Sequence, residues 1–286
     1  MKNRLSYFSL SFISILMLLF TWKKAKKKEH PYVLPLFFAF SGLNYLFEYI
    51  VLILNKAYQY KPNIFKNNYQ DNLFGAITSQ LIVVPTAGLI VSLFQLKYKW
   101  FLLFSSVLFG VEKTFVKKNF FKHFWWSPYY TLIGLQAFFF ISKVWKHQLV
   151  DKKNQIFTIL TVYFSFLVPL STLNFYYGTV CRAFLFKGHW FHNPIRSSIA
   201  ISTIYTALCS LLFTLAIMVK RSYAKLCSIF LMMGVDLYLV RINRLEITRT
   251  YYIGSFVIKY ITVLIGQKIY ETLIREVKRK DKNNNL

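Results

Sequence analysis

Residues 73–94 read LFGAITSQLIVVPTAGLIVSLF, twenty-two consecutive residues without a charged side chain. As a helix rising about 1.5 Å per residue, such a run crosses the roughly 30 Å hydrocarbon core of a bilayer. It fits a soluble core badly, since it leaves no polar face for water. Outward from it the same pattern recurs. Apolar runs at 5–22, 32–54, 100–116, 128–144, 156–177, 197–219, 226–240 and 251–269 are separated by short segments rich in Lys, Arg, Trp and Tyr. Charged and aromatic residues flanking apolar runs mark membrane–water interfaces. The expected fold class is therefore an all-α polytopic transmembrane helix bundle of about nine spans. The run 226–240 is short and carries Asp236, so an eight-span chain with that segment re-entrant is the alternative.

Composition agrees. The 286 residues are 56% hydrophobic, 20% aromatic and only 16% charged, outside the range of soluble domains. A formal charge of +26 would call for nucleic acid in a soluble chain, but here the basic residues sit between apolar runs, so no nucleic-acid partner is expected. The expected partners are the lipid bilayer and anionic lipids at the basic loops; protein partners are not specified. The run 5–22 lacks a small-x-small cleavage site and is followed directly by Lys23, Lys24, Lys26, Lys27 and Lys28, which reads as a retained helix with the N-terminus outside and the C-terminus inside.

The two halves of the chain share a pattern. Gly110, Val111, Glu112, Val116, Lys117 and Asn119 match Gly234, Val235, Asp236, Val240, Arg241 and Asn243 at one constant offset. Leu43-Asn44-Tyr45 match Leu173-Asn174-Phe175, and Tyr129-Tyr130 match Tyr251-Tyr252, in the same order. The expected organisation is an N-terminal helix and basic loop (1–31), a first four-helix unit (32–146), a second (147–274) and a basic polar tail (275–286). Four crossings per unit make the two repeats parallel.

Polar groups at membrane depth are costly and mark candidate sites. These are Asn44, Glu48, Glu112, Asn174, Asp236 and Lys259. Glu48 lies one turn beyond Asn44 on the same helix face, and Gly178 is its counterpart in the alignment above. Lys259, amid apolar neighbours, requires a partner, and Asp236 is within reach of its stem. Pro85 and Pro169 each free a backbone carbonyl and are expected to kink their helices. The five histidines fall in connecting segments, and no zinc, haem, phosphate-loop or nucleophile-elbow pattern is present. No metal, cofactor or catalytic residue is expected. A membrane enzyme would instead need scattered groups such as Asp71, Glu112 and His123 to meet at one face.

Glu112, the segment His123-Phe124-Trp125-Trp126, then Tyr129-Tyr130-Thr131 and Lys143-Val144-Trp145 resemble an uncharacterised family of small polytopic membrane proteins from spore-forming Gram-positive bacteria. The resemblance covers residues 40–146, and the second half lacks the paired tryptophans. It implies a bacterial plasma or spore membrane and brings no assigned activity. The functional reading is a structural or partner-binding membrane component. The alternatives are a small-solute or ion transporter with intramembrane acids at a repeat interface and, third, a membrane-embedded enzyme.

Overall fold

The computed structural model describes residues 2–219 and 221–284, with the side chains of Ser222 and of residues 277–284 outside the description. Two compact units emerge, Met1–Phe157 and Thr158–Leu286. The first holds α1 (Lys2–Lys24), α2 (His30–Leu54), α3 (Asn68–Leu93), α4 (Tyr98–Lys117) and α5 (Pro128–Lys146, continued by a π-helical turn at His147–Asp151). The second is built from α6 (Gln155–Thr179), α7 (Pro194–Met218), α8 (Ser222–Arg241) and α9 (Tyr251–Asn284). Six of these, α1, α2, α3, α6, α7 and α8, are long and apolar enough to cross a membrane. The short run around Asp236 is thus one continuous helix. It is α4, α5 and α9 that fall below the apolarity of a self-sufficient span.

Apolar side chains cover the outside of this fold. Leu5, Phe8, Phe12 and Leu19 on α1, and Phe230, Leu231 and Leu237 on α8, are all more than half exposed. Apolar faces of that extent belong against lipid, which together with the six apolar helices makes this a multi-pass integral membrane protein.

Within the first unit, α3 packs against α2 and α5, and α4 against α5. Gly88 on α3 lets the Phe138 ring and the Ser142 hydroxyl of α5 approach, and Phe138 meets Phe40 of α2 edge-on at 6.0 Å. Pro85 sits two residues after the end of a π-helical segment, Thr78–Val83. Proline at 85 deprives the Leu81 carbonyl of its usual donor, and the Ser41 hydroxyl of α2 donates to that carbonyl at 3.3 Å. Pro169, in contrast, is carried inside the continuous α6.

All-helical expectation misses one element. Each unit carries a pair of three-residue antiparallel strands: β1 (Tyr58–Tyr60) with β2 (Phe121–His123), and β3 (Phe184–Phe186) with β4 (Leu245–Ile247). Registers are Tyr58 opposite His123 and Phe184 opposite Ile247. These ladders satisfy backbone groups of the connecting loops that helices leave open. Three residues are too few for a period-two signal, which is why they are invisible in the pattern of apolar residues.

The loops of the two units make the same bonds at corresponding places. Lys56 and Arg182 have left-handed backbones (φ 48° and 51°), as do Asn119 and Asn243, both at φ 58°. The amide after each asparagine closes its helix, Phe120 N–H to the Phe115 carbonyl and Arg244 N–H to the Leu239 carbonyl, both 2.8 Å. The asparagine side chains accept from Lys61 Nζ at 2.9 Å and Lys187 Nζ at 2.7 Å. Asn67 and Asn193 cap α3 and α7. Five residues on from each cap, Asn72 and Ser198 accept the Tyr60 and Phe186 amides of the first ladder strand.

Counting back eight residues from the left-handed Lys56 and Arg182 brings Glu48 onto Asn174, to within the one residue that the π turn at Tyr49–Leu54 adds. By this count Asn174, rather than Gly178, stands opposite Glu48, one helical turn from the match of Asn44 with Asn174; an apolar helix carries few distinctive residues to fix its phase. Helix α9 continues through Asn284; the Lys278, Arg279, Lys280 and Lys282 side chains of the basic tail and residues 285–286 lie outside the described residues.

Candidate functional site

Unit 1 holds a partly open cavity of about 180 Å³. Its polar lining comes from four helices and a strand: Asn44 on α2, Thr78, Ser79 and Gln80 on α3, Glu112 on α4, Thr131 on α5, and Tyr58 and Tyr60 on β1. Tyr7 of α1 also lines it, its hydroxyl donating to the Phe120 carbonyl at 2.9 Å. The π-helical turn Thr78–Val83 contributes three of these polar residues, a placement π turns often have at sites.

Glu112 binds His123 of β2, Oε1 to Nε2 at 2.6 Å, and hydrogen-bonds the Thr131 hydroxyl, which in turn accepts from Trp126 Nε1 at 2.8 Å. Glu48 lies behind the lining, buried, with Oε2 accepting from Tyr58 at 2.6 Å and Gln80 Nε2 at 3.0 Å. Burial, and then the charge of Glu48, holds the Tyr58 phenol well above its ordinary value, so it stays a donor. Glu48 Oε1 and Asn44 Nδ2 are buried without a hydrogen-bond partner in the protein. The sequence-level pairing of Asn44 with Glu48 is thus replaced by Tyr58 and Gln80, which apolar periodicity did not single out.

In unit 2 the polar groups close on one another. Asp236 of α8, 0% exposed, accepts from Lys259 Nζ at 2.6 Å and Ser255 Oγ at 3.2 Å, both on α9, and from the Tyr205 hydroxyl of α7. Lys259 finds in Asp236 the partner its position demanded. A buried pair so saturated with donors holds helices together. Asn174, half-buried on α6, takes no part in it.

Two acids lie elsewhere. Asp71 accepts from the amides of Asn63, Ile64 and Phe65 at 2.6–3.0 Å and ties down the loop before α3, so it does not meet Glu112 and His123. Glu29, the one acid in the basic loop after α1, pairs with Lys146 at 3.0 Å, both nearly fully buried. Lys146 also reaches Asp151 at 3.2 Å, and His147 contacts the same carboxylate at 3.1 Å. Partial burial raises the Asp151 carboxyl, but the bonds to His147 and Lys146 outweigh it and hold the group below its ordinary range. A lone glutamate among lysines was the only sequence signal for this cluster. No group of three His, Cys, Asp or Glu side chains suited to a metal occurs among the described residues.

Comparison with protein-family models, curated proteins and solved structures found no match. The functional reading therefore rests on the geometry above.

Proposed function

We propose that this protein is a nine-span membrane protein, an N-terminal helix followed by two four-helix repeats, in which the first repeat binds a small solute and the second is structural. The cavity lined by Asn44 and Glu112 carries the first part. At about 180 Å³ it is smaller than the roughly 300–1,000 Å³ of sites for drug-sized ligands, and it joins a few polar groups to aromatic walls. The packed Asp236–Lys259 network supports the second part. The shared asparagine caps, left-handed residues and ladder bonds support the duplication. A solute site within one unit departs from a site at a repeat interface.

The amino terminus lies outside and the basic loops face anionic lipid on the cytoplasmic side of a bacterial plasma or spore membrane, in keeping with the family that residues 40–146 resemble. In a cysteine-free background, an impermeant thiol reagent should label a cysteine at the exposed Asn68 in intact cells; protection of that site would reverse the orientation.

Gly134 lines the cavity, and a Cβ there would meet no atom within 4 Å. Gly134→Leu should therefore fill the cavity without strain. For protein in phosphatidylcholine nanodiscs, saturable binding of n-butanol or n-butylammonium, lost in Gly134→Leu, is expected. Binding of neither probe to the parent protein would refute the solute-site reading.

A further inference from the structure

Each unit sets an acid on its third helix, counted from α2 and from α6, against a hydroxyl on its fourth: Asp236 with Ser255, and Glu112 with Thr131. One turn beyond that hydroxyl the two units part. Unit 2 has Lys259, whose ammonium fills the space beside the acid; unit 1 has Leu135, which lines the cavity. A second difference lies on the helix capped by the matched asparagines. Twelve residues after Asn193 comes Tyr205, which bonds Asp236, and twelve after Asn67 comes Ser79, another lining residue. The two groups that fill the space around Asp236 are thus replaced in unit 1 by an alkyl side chain and a short hydroxyl, and the cavity lies there.

We infer that the unit 1 cavity takes a small organic ammonium ion, held by Glu112 in the place that the Lys259 ammonium takes in unit 2. This rests on the reading of the cavity as a solute site and names the solute's class. Charge favours it. Glu112 and the buried Glu48 stand beside the cavity with His123 as the one basic group paired to either among the described residues. Lys113, next along α4, turns instead over the Phe109 ring at 4.6 Å. The walls suit a cation as well, since Tyr58, Tyr60, Phe115, Trp126 and Tyr130 offer electron-rich faces to an ammonium that sheds its water. His123 holds one carboxylate oxygen, Oε1, and the Thr131 hydroxyl also donates to the group, so the ammonium takes the acceptor positions that these two donors leave. The unpartnered Asn44 amide offers a hydrogen bond to a polar substituent at another point of the lining.

The test compares n-butylammonium with n-butanol, of nearly the same shape, by calorimetric titration of the full chain in nanodiscs of zwitterionic phosphatidylcholine. The cation should bind about tenfold or more tighter than the alcohol. Glu112→Gln should bring the cation down to about the alcohol's affinity, and Leu135→Lys, which supplies an internal ammonium, should remove cation binding. If Leu135→Lys does not fold, Glu112→Gln decides alone. Equal affinities, or a cation affinity untouched by Glu112→Gln, overturn the ammonium assignment while the solute site stands. Binding of neither probe overturns both.

Discussion

Replacing Lys259 by Met tests whether the Asp236 network carries the second unit. Lys259 and Asp236 are 3% and 0% exposed and 2.6 Å apart, so solvent screens neither the pair nor a charge left behind. The variant keeps a side chain of similar length and removes only the ammonium, leaving the carboxylate with the Tyr205 and Ser255 hydroxyls. Stranding a buried charge costs about 3–5 kcal/mol. Neutralising a carboxylate at pH 7 costs about 4 kcal/mol, and this escape route caps the loss near that figure. Neutral hydrogen bonds between membrane helices are worth only about 0.6 kcal/mol on average, so a loss of several kcal/mol identifies the stranded charge as its source. Adding Asp236→Asn removes that charge while keeping an acceptor for both hydroxyls. The double variant should lie within about 2 kcal/mol of the parent, about 1 kcal/mol or more above Lys259→Met. Reversible unfolding in mixed micelles against rising dodecyl sulfate, followed by far-UV circular dichroism, measures all three. A Lys259→Met loss below about 1 kcal/mol, or a double variant no more stable than the single, would refute the argument.

Close helix approach in unit 1 predicts that Gly88→Ala, whose Cβ would stand 2.8 Å from the Phe138 ring and 3.0 Å from Ser142 Oγ, costs about 1–3 kcal/mol in the same unfolding assay. Gly110→Ala, with no atom within 4 Å, should instead be neutral or gain up to about 1 kcal/mol. Asp71→Ala should raise hydrogen exchange at the Asn63, Ile64 and Phe65 amides by at least about tenfold, since each loses a charged acceptor. For Asp151, whose folded carboxyl lies below its ordinary 3.8, the stabilisation is present above that value and is lost as pH falls through the lower folded one. The stability advantage of the parent over Asp151→Asn should accordingly vanish on acidification through this window, and an advantage that grows with acid would reverse the sign.

The nine long helices among the described residues are legible because each coincides with an apolar run, and 226–240, short and carrying Asp236, lies in one continuous helix. The match of Val116, Lys117 and Asn119 with Val240, Arg241 and Asn243 was legible for a different reason: both segments end a helix at a left-handed asparagine, which few residues tolerate. Along α2 and α6 the sequence match and the loop geometry differ by a turn, since Leu, Phe and Tyr interchange against lipid and a π turn alters the phase. Tyr58 and Gln80, which hold Glu48, carried no signal at all.

Transfer from water to lipid is a local property that sums along a segment, so the sequence by itself determined that the chain is helical and membrane-embedded and where each helix lies. It did not determine what the polar residues meet. Glu112 and Asp236 occupy equivalent sequence surroundings, yet one lines a cavity and the other is sealed by an ammonium. That outcome turns on single residues of other helices, Leu135 against Lys259 and Ser79 against Tyr205. The tertiary structure decides it because a buried charge is settled by whatever lies within a few ångströms in space, and helix packing sets that distance.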